Sequence, residues 1–176
     1  MAPFDMHPAW YVLHTRSRFE QVVFDGLERK FLEAFLPKMT VMSKRRDRRL
    51  KIRVPLFPGY VFVKSELNAD ERLEIVKTVG VVRLVGNRDG PVPVDDGAID
   101  SLRIMVAGDN PIATGTRLRK GDRVMVVEGP FVGVIGTFVR YRGSGRVVVS
   151  VEALGQYAAV DVPEEYVERL PDLASR

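Results

Sequence analysis

Cysteine is absent from the 176 residues. That excludes a disulfide framework, cysteine-ligated zinc, an iron–sulfur centre and a thiol nucleophile, and makes a reducing compartment the natural home. Histidine occurs only as His7 and His14, and with no clustered ligands around them no metal site is expected. No serine sits in a nucleophile-elbow pattern, and neither the P-loop nor the dinucleotide fingerprint occurs; Gly143-Ser144-Gly145 is a lone turn. Long apolar runs are missing too, since nothing approaches the ~20 residues of a membrane helix. Met1 to Pro8 lack the basic start and apolar core of a signal peptide. The expectation is a cytoplasmic protein that is not an enzyme, uses no cofactor or metal and touches no membrane.

What is present suffices for a packed core: 45% of residues are hydrophobic, enough for one ordinary domain or two small ones. The 27 Lys and Arg exceed the 23 Asp and Glu only modestly, giving +4. The excess is concentrated. Residues 37–64 hold Lys38, Lys44, Arg45, Arg46, Arg48, Arg49, Lys51, Arg53 and Lys64 against Asp47 alone, about +8, so the remainder sums to about −4. From Gly108 onward nine basic residues balance nine acidic ones.

Trp10-Tyr11-Val12-Leu13 suits a strand. Ser17 and Glu20 have the spacing of a capping box, and Phe19, Val22, Val23, Leu27 and Phe31 then recur at helical spacing as one apolar face. Strands are predicted near Ala34 to Val41 and at Gly59 to Lys64, with Ser43 to Arg53 between them as an exposed loop or hairpin tip. A second capping box, Asn68 to Glu71, opens a helix with Leu73, Val76 and Val79 inward, which Gly80 ends. Val81 to Val85 reads as a strand, and Asp95 caps a third helix with Ala98, Ile99, Leu102, Met105 and Val106 on one face.

After Ala107 the texture changes. Residues 108–116 are poor in apolar side chains and read as a flexible linker between a first domain, 1–107, and a second, 117–176. In the second domain Val147, Val149 and Val151 alternate with Val148, Ser150 and Glu152, the period of a half-buried strand. Val124 to Val127, Thr137 to Tyr141 and Ala159 to Val162 look like its partners, and seven glycines from Gly121 to Gly155 punctuate the segment. About 55 residues therefore read as a small β-barrel. The fold class is α+β: a small, mostly antiparallel sheet with flanking helices, linked to a barrel.

Three segments carry a family resemblance: Trp10 to Leu13 followed by a helix; Leu56-Phe57-Pro58-Gly59-Tyr60-Val61-Phe62-Val63 after a basic loop; and Lys120-Gly121-Asp122-Arg123-Val124 continuing to Gly129-Pro130-Phe131-Val132-Gly133-Val134-Ile135-Gly136. In that order and spacing the chain resembles the NusG transcription elongation factors from about Ala9 to Leu170. The resemblance implies an NGN α/β sandwich at the N-terminus and an SH3-like KOW barrel at the C-terminus. It further implies a monomeric factor whose NGN domain binds the clamp and gate loop of RNA polymerase. The KOW domain would recruit a small-subunit ribosomal protein or the termination factor Rho.

Matching motif positions puts His14 and Phe57 on the family's polymerase-facing patch. Trp10, Tyr11 and Tyr60 cluster on the same predicted strands, although Trp10 and Tyr11 also suit a core. Phe57, between turn-forming Pro55 and Pro58, is the expected exposed anchor. Arg72 falls where specialised relatives carry a gate-loop contact, but Glu71-Arg72-Leu73 departs from their His-Thr-Thr. Lys44, Arg45, Arg46, Arg48 and Arg49, with Arg16 and Arg18, are candidates for steering along the DNA backbone at the transcription bubble; no aromatic interleaves them, so base stacking is not indicated. In the barrel Phe131 is placed at a loop tip, and Leu154, Gln156 and Tyr157 at the family's partner-binding loop. Here Ala153-Leu154-Gly155-Gln156 replaces the usual Ile-Phe-Gly-Arg. Some relatives refold this domain into a helical hairpin, which the Val-rich runs and glycines of this chain oppose. The competing reading is a ribosome-associated or RNA-binding KOW protein.

Overall fold

The computed structural model describes residues 7–45, 49–116 and 121–171. In chain order the first elements are β1 (Ala9–Thr15), α1 (Glu20–Arg29), β2 (Glu33–Phe35), β3 (Lys38–Met42), β4 (Lys51–Pro55), β5 (Tyr60–Ser65), α2 (Ala69–Lys77) and β6 (Val81–Leu84). A short ribbon, β7 (Gly86–Asn87) and β8 (Gly90–Pro91), and helix α3 (Asp96–Val106) follow. Then come β9 (Ala113–Gly115), β10 (Asp122–Val126), β11 (Ile135–Tyr141), β12 (Ser144–Val151), β13 (Gln156–Asp161) and β14 (Val167–Arg169). Contacts divide the chain into two compact units, Met1–Pro37 with Phe57–Asp96, and Lys38–Leu56 with Gly97–Arg176.

The first unit is built on an antiparallel sheet of order β2-β5-β1-β6. Strands alternate their side chains between faces, so β1 and β5 supply two different surfaces. On one face Leu13, Val61 and Val63 meet Val23 and Leu27 of α1 and Ile75 of α2 in a fully buried cluster, with Tyr11 packed beside it. The other face is arranged in cross-strand rows: Lys64 opposite Trp10, Phe35 with Phe62 and Val12, then Tyr60, His14 and Arg83.

Both helices of this unit depart from their sequence patterns. No side chain caps α1. Glu20 turns away from the expected capping box and accepts a hydrogen bond from Gly59 N at 2.8 Å, and the helix starts behind Phe19. The helix stops at Arg29, so Phe31, with φ +60° and 98% exposed, lies beyond the apolar face assigned to it; Val22 is exposed as well. In α2 the Asn68 cap forms as expected, Glu71 N donating to Oδ1 at 2.9 Å. Glu71 Oε2 accepts from Glu66 N and Ser65 Oγ instead of closing the box. The inward residue is Ile75, whereas Leu73, Val76 and Val79 face solvent. A one-residue phase error rotates a helical face by ~100°, enough to turn an inward stripe outward.

The predicted strand Ala34 to Val41 is broken at Pro37, which has no amide proton for a ladder. Its second part, β3, pairs with β4 as a hairpin of the second unit, from Lys38 opposite Pro55 to Met42 opposite Lys51. The same unit holds α3, where Ile99, Leu102 and Met105 are buried at helical spacing. Ser101 on α3 accepts from Ile135 N at 3.1 Å and donates to its carbonyl at 3.3 Å. The rest of the unit is a six-stranded antiparallel sheet of order β14-β10-β11-β12-β13-β9. Val147, Val149, Val151, Ala159 and Val160 are buried in it. Residues expected to lie in a linker instead contribute β9, which pairs with Tyr157 to Ala159. A two-residue turn with φ +50° at Arg142 and +81° at Gly143 joins β11 to β12, the positive-φ geometry that matches strand twist in tight hairpins.

Candidate functional site

Three surfaces gather the residues picked out by sequence. The first lies at one end of the sheet of the first unit. Tyr60 on β5 pairs with His14 on β1, and His14 pairs with Arg83 on β6, so all three project from one face in a row. The His14 and Tyr60 rings sit 5.4 Å apart, and both side chains are partly exposed. Gly59, at φ +86°, turns the chain into β5. Its carbonyl accepts from Thr15 N at 2.8 Å while its amide is held by Glu20. Arg16 and Arg18 follow β1 directly and are exposed, Arg16 being anchored by its amide to Gly80 O at 2.8 Å.

Phe57 does not belong to this surface. It is 1% exposed, with its ring edge-on to Phe62 at 6.3 Å, so the flanking prolines turn the chain inward and not outward. Trp10, 3% exposed, is likewise a core residue, with Phe35 edge-on at 6.4 Å and Lys64 Nζ 6.0 Å from its ring centre. Tyr11 points to the opposite, helix-covered face. Arg83 was missed because its only signal is the pairing of β6 with β1, which a single sequence does not display. Arg72 is exposed at the edge of an open groove of about 360 Å³ that it shares with Val76, Val82, Leu84 and Pro91.

The second surface is the β3–β4 hairpin. Lys51 and Arg53 project from one face with Thr40 and Met42, while Met39, Val41, Ile52 and Val54 share the other. Lys44, Arg45 and Arg49 are exposed towards its tip, where Ser43 N donates to Leu50 O at 2.8 Å. None of these five cations has an ion-pair partner among the described residues. Arg46 and Arg48 lie outside the described residues.

The third surface is the corner between β12 and β13. Leu154 ends a 3₁₀ turn, Gly155 reverses the chain at φ +61°, and Gln156 and Tyr157 open β13. All three named side chains are partly buried, and the Tyr157 ring lies against Gly115 of β9, where an added Cβ would approach it to 2.5 Å. Phe131 is not on a loop tip; it is 6% exposed. The neighbouring Val132 takes the exposed position.

Among the described residues no three His, Asp or Glu side chains group as metal ligands, and no helix is long and apolar enough to cross a membrane.

Comparison with known proteins gives one family. Residues 8–103 match the family model described as "NusG: Transcription termination factor nusG". The chain is 31% identical to the "Transcription termination/antitermination protein NusG" of Pseudomonas aeruginosa over 94% of its own length and 100% of that protein. To the protein of the same description from Vibrio parahaemolyticus it is 33% identical over 92% of this chain and 95% of that one. Among solved structures, "Domain interaction in Thermotoga maritima NusG" shares the fold at a TM-score of 0.51 and 24% identity, covering 94% of this chain and 99% of the other.

Proposed function

The chain belongs to the NusG family of transcription elongation regulators, and from that premise we propose that it binds bacterial RNA polymerase through the sheet end bearing Tyr60, His14 and Arg83. The observation that carries this is the row itself: an aromatic pair beside an arginine, half-exposed on three adjacent strands and braced from behind by a packed core. Tyr and Arg dominate binding energetics where they stand on rigid supports. This reading keeps His14 and Tyr60 from the sequence assignment, adds Arg83, and gives Trp10 and Phe57 the supporting role of holding the strands that present the patch. Arg72, in a groove that Arg83 also lines, is the second polymerase contact, towards the gate loop.

The β3–β4 hairpin serves as a basic arm that follows the DNA backbone at the transcription bubble. Five unpaired cations can each replace counterions on phosphates, a contact that is strong at low salt and blind to sequence. Arg16 and Arg18 extend that positive surface. The C-terminal sheet acts as the KOW barrel and recruits a protein partner, a ribosomal small-subunit protein or Rho, with Leu154, Gln156 and Tyr157 at its contact corner. The factor works in the cytoplasm, as a monomer and without catalysis, by changing how the polymerase pauses or terminates.

The test is binding of the full chain to bacterial core RNA polymerase, wild type beside His14→Ala with Tyr60→Ala, and beside a variant with Lys44, Arg45, Arg49, Lys51 and Arg53 changed to Gln. The double alanine variant is expected to lose at least tenfold in affinity, about 1.4 kcal/mol. The glutamine variant is expected to lose binding chiefly when DNA is present. A chain that ignores polymerase yet binds free RNA tightly through the arginines replaces this reading with that of an RNA-binding KOW protein.

A further inference from the structure

Between β10 and β11 the chain makes a loop that folds back on the 3₁₀ turn at Glu164–Tyr166. Gly129 permits the approach: its φ is +87°, and an added Cβ would stand 3.1 Å from the Tyr166 ring. Val127 N donates to Tyr166 O at 2.8 Å, Tyr166 N to Pro163 O at 2.9 Å, and Val134 N to Phe131 O at 3.1 Å. These bonds hold the walls of a pocket of about 220 Å³, with Pro130, Phe131, Pro163 and Tyr166 as apolar surfaces and Glu128 and Asp161 as carboxylates. At ~30 Å³ per water that is room for about seven waters, or one long side chain.

The charged side chains that line the pocket among the described residues are both acids, one of them, Asp161, already paired with Arg146. Among the described residues neither arginine nor lysine lines the pocket. Glu128 has no ion-pair partner among the described residues, and Asp161 holds Arg146 Nε through Oδ1 alone, at 2.8 Å. Tyrosine and proline faces beside a carboxylate suit a planar cation better than a compact one. A guanidinium can stack on the ring and direct a fork of N–H donors at the acid, whereas an ammonium keeps its water more tightly. The aromatic faces of Phe131 and Tyr166 also suit an extended, proline-flanked backbone, which docks on aromatic-lined grooves.

We propose that this pocket binds an arginine side chain presented on an extended, proline-flanked segment of the partner protein. This rests on the reading that the C-terminal unit recruits a protein, and it moves the specificity of that contact from the β12–β13 corner to Glu128, Asp161 and Tyr166. Phe131 then acts as a pocket wall.

The probe is a capped Pro-Pro-Arg-Pro-Pro peptide titrated into the isotope-labelled full chain and followed by NMR. Saturable shifts are expected at the amides of Val127, Glu128, Gly129 and Phe131 and of Glu164 to Tyr166. Replacing arginine by the neutral isostere citrulline should weaken binding at least fivefold, and lysine should bind more weakly than arginine. Glu128→Gln, a surface change that spares the fold, should weaken it about threefold; Tyr166→Leu should weaken it further. Shifts that are absent, that fall outside these segments, or that are equal for the arginine and citrulline peptides overturn the proposal. Capture of purified Rho or ribosomal protein that is unchanged by Glu128→Gln and Tyr166→Leu removes the pocket's role while recruitment stands. Failure of capture alongside intact peptide binding removes the choice of partner and leaves the pocket.

Discussion

Replacing Glu20 by alanine tests whether the surface of the first unit is fastened from behind as the geometry implies. Glu20 is 8% exposed, and its Oε1 accepts from Gly59 N at 2.8 Å, joining the first turn of α1 to the turn that starts β5. A hydrogen bond to a charged group contributes about 1.5–3 kcal/mol, and its removal leaves the Gly59 amide without a partner. The loss of a negative charge near a helix N-terminus adds about 0.3–1 kcal/mol. Glu20→Ala should therefore cost about 2–4 kcal/mol. Glu20→Gln keeps an acceptor oxygen and should cost roughly half as much. The single tryptophan, Trp10, is buried in this unit, so its fluorescence during urea unfolding reports on this unit by itself. With a denaturant slope of about 1–1.5 kcal/mol per molar, the alanine variant should unfold at least about 1.3 M earlier than wild type. A midpoint unchanged within about 0.3 M, or one lowered equally by Gln and Ala, would refute the account.

Gly80→Ala should destabilise the first unit by about 2–4 kcal/mol, because φ is +95° and the new Cβ would stand 2.9 Å from Phe19 and Val23; Gly90→Ala, at φ +123° with open space around it, should cost only the backbone strain. Trp10 fluorescence in urea separates the two. Ser101→Ala removes the one hydroxyl that partners both the N–H and the C=O of Ile135, about 1–2 kcal/mol, so amide exchange at Ile135 should quicken roughly 5- to 30-fold. For binding to DNA, each of Lys44, Arg45, Arg49, Lys51 and Arg53 that contacts a phosphate should lower the salt slope by about 0.9 when changed to Gln. A slope that stays fixed while all five are changed rules out the arm as a backbone tracker.

Local signals were readable where local physics decided the outcome. Aromatic and β-branched runs gave β1 and β5, alternation gave β12, Asn68 gave a cap, and the spacing of Ile99, Leu102 and Met105 gave α3 with its buried face. Errors fell where a distant partner outweighed local preference. Glu20 has capping-box spacing but its carboxylate is drawn to Gly59, thirty-nine positions away. The polar stretch before Thr116 read as linker because a three-residue edge strand shows little period of its own, and only β13 reveals it. Phe57 read as exposed from its prolines, yet the aromatic cluster with Phe62 places it inside. At the surfaces, residue types pointed to His14, Tyr60 and the arginine cluster, whereas Arg83, Glu128 and Tyr166 became visible only when pairing and loop folding put them beside other groups.

The cross-strand row of Tyr60, His14 and Arg83 limits how the sequence can vary. β1 and β5 alternate the helix-packed Leu13, Val61 and Val63 with a second set, in which the buried Trp10, Val12 and Phe62 precede Tyr60 and His14, so inserting or deleting a single residue within either strand would exchange two sets that each fit only their own side. Length changes are thus tolerable only in the connections, and the two strands must be inherited as a fixed reading frame. Substitution can change which side chains fill the three positions far more easily than it can move the positions themselves.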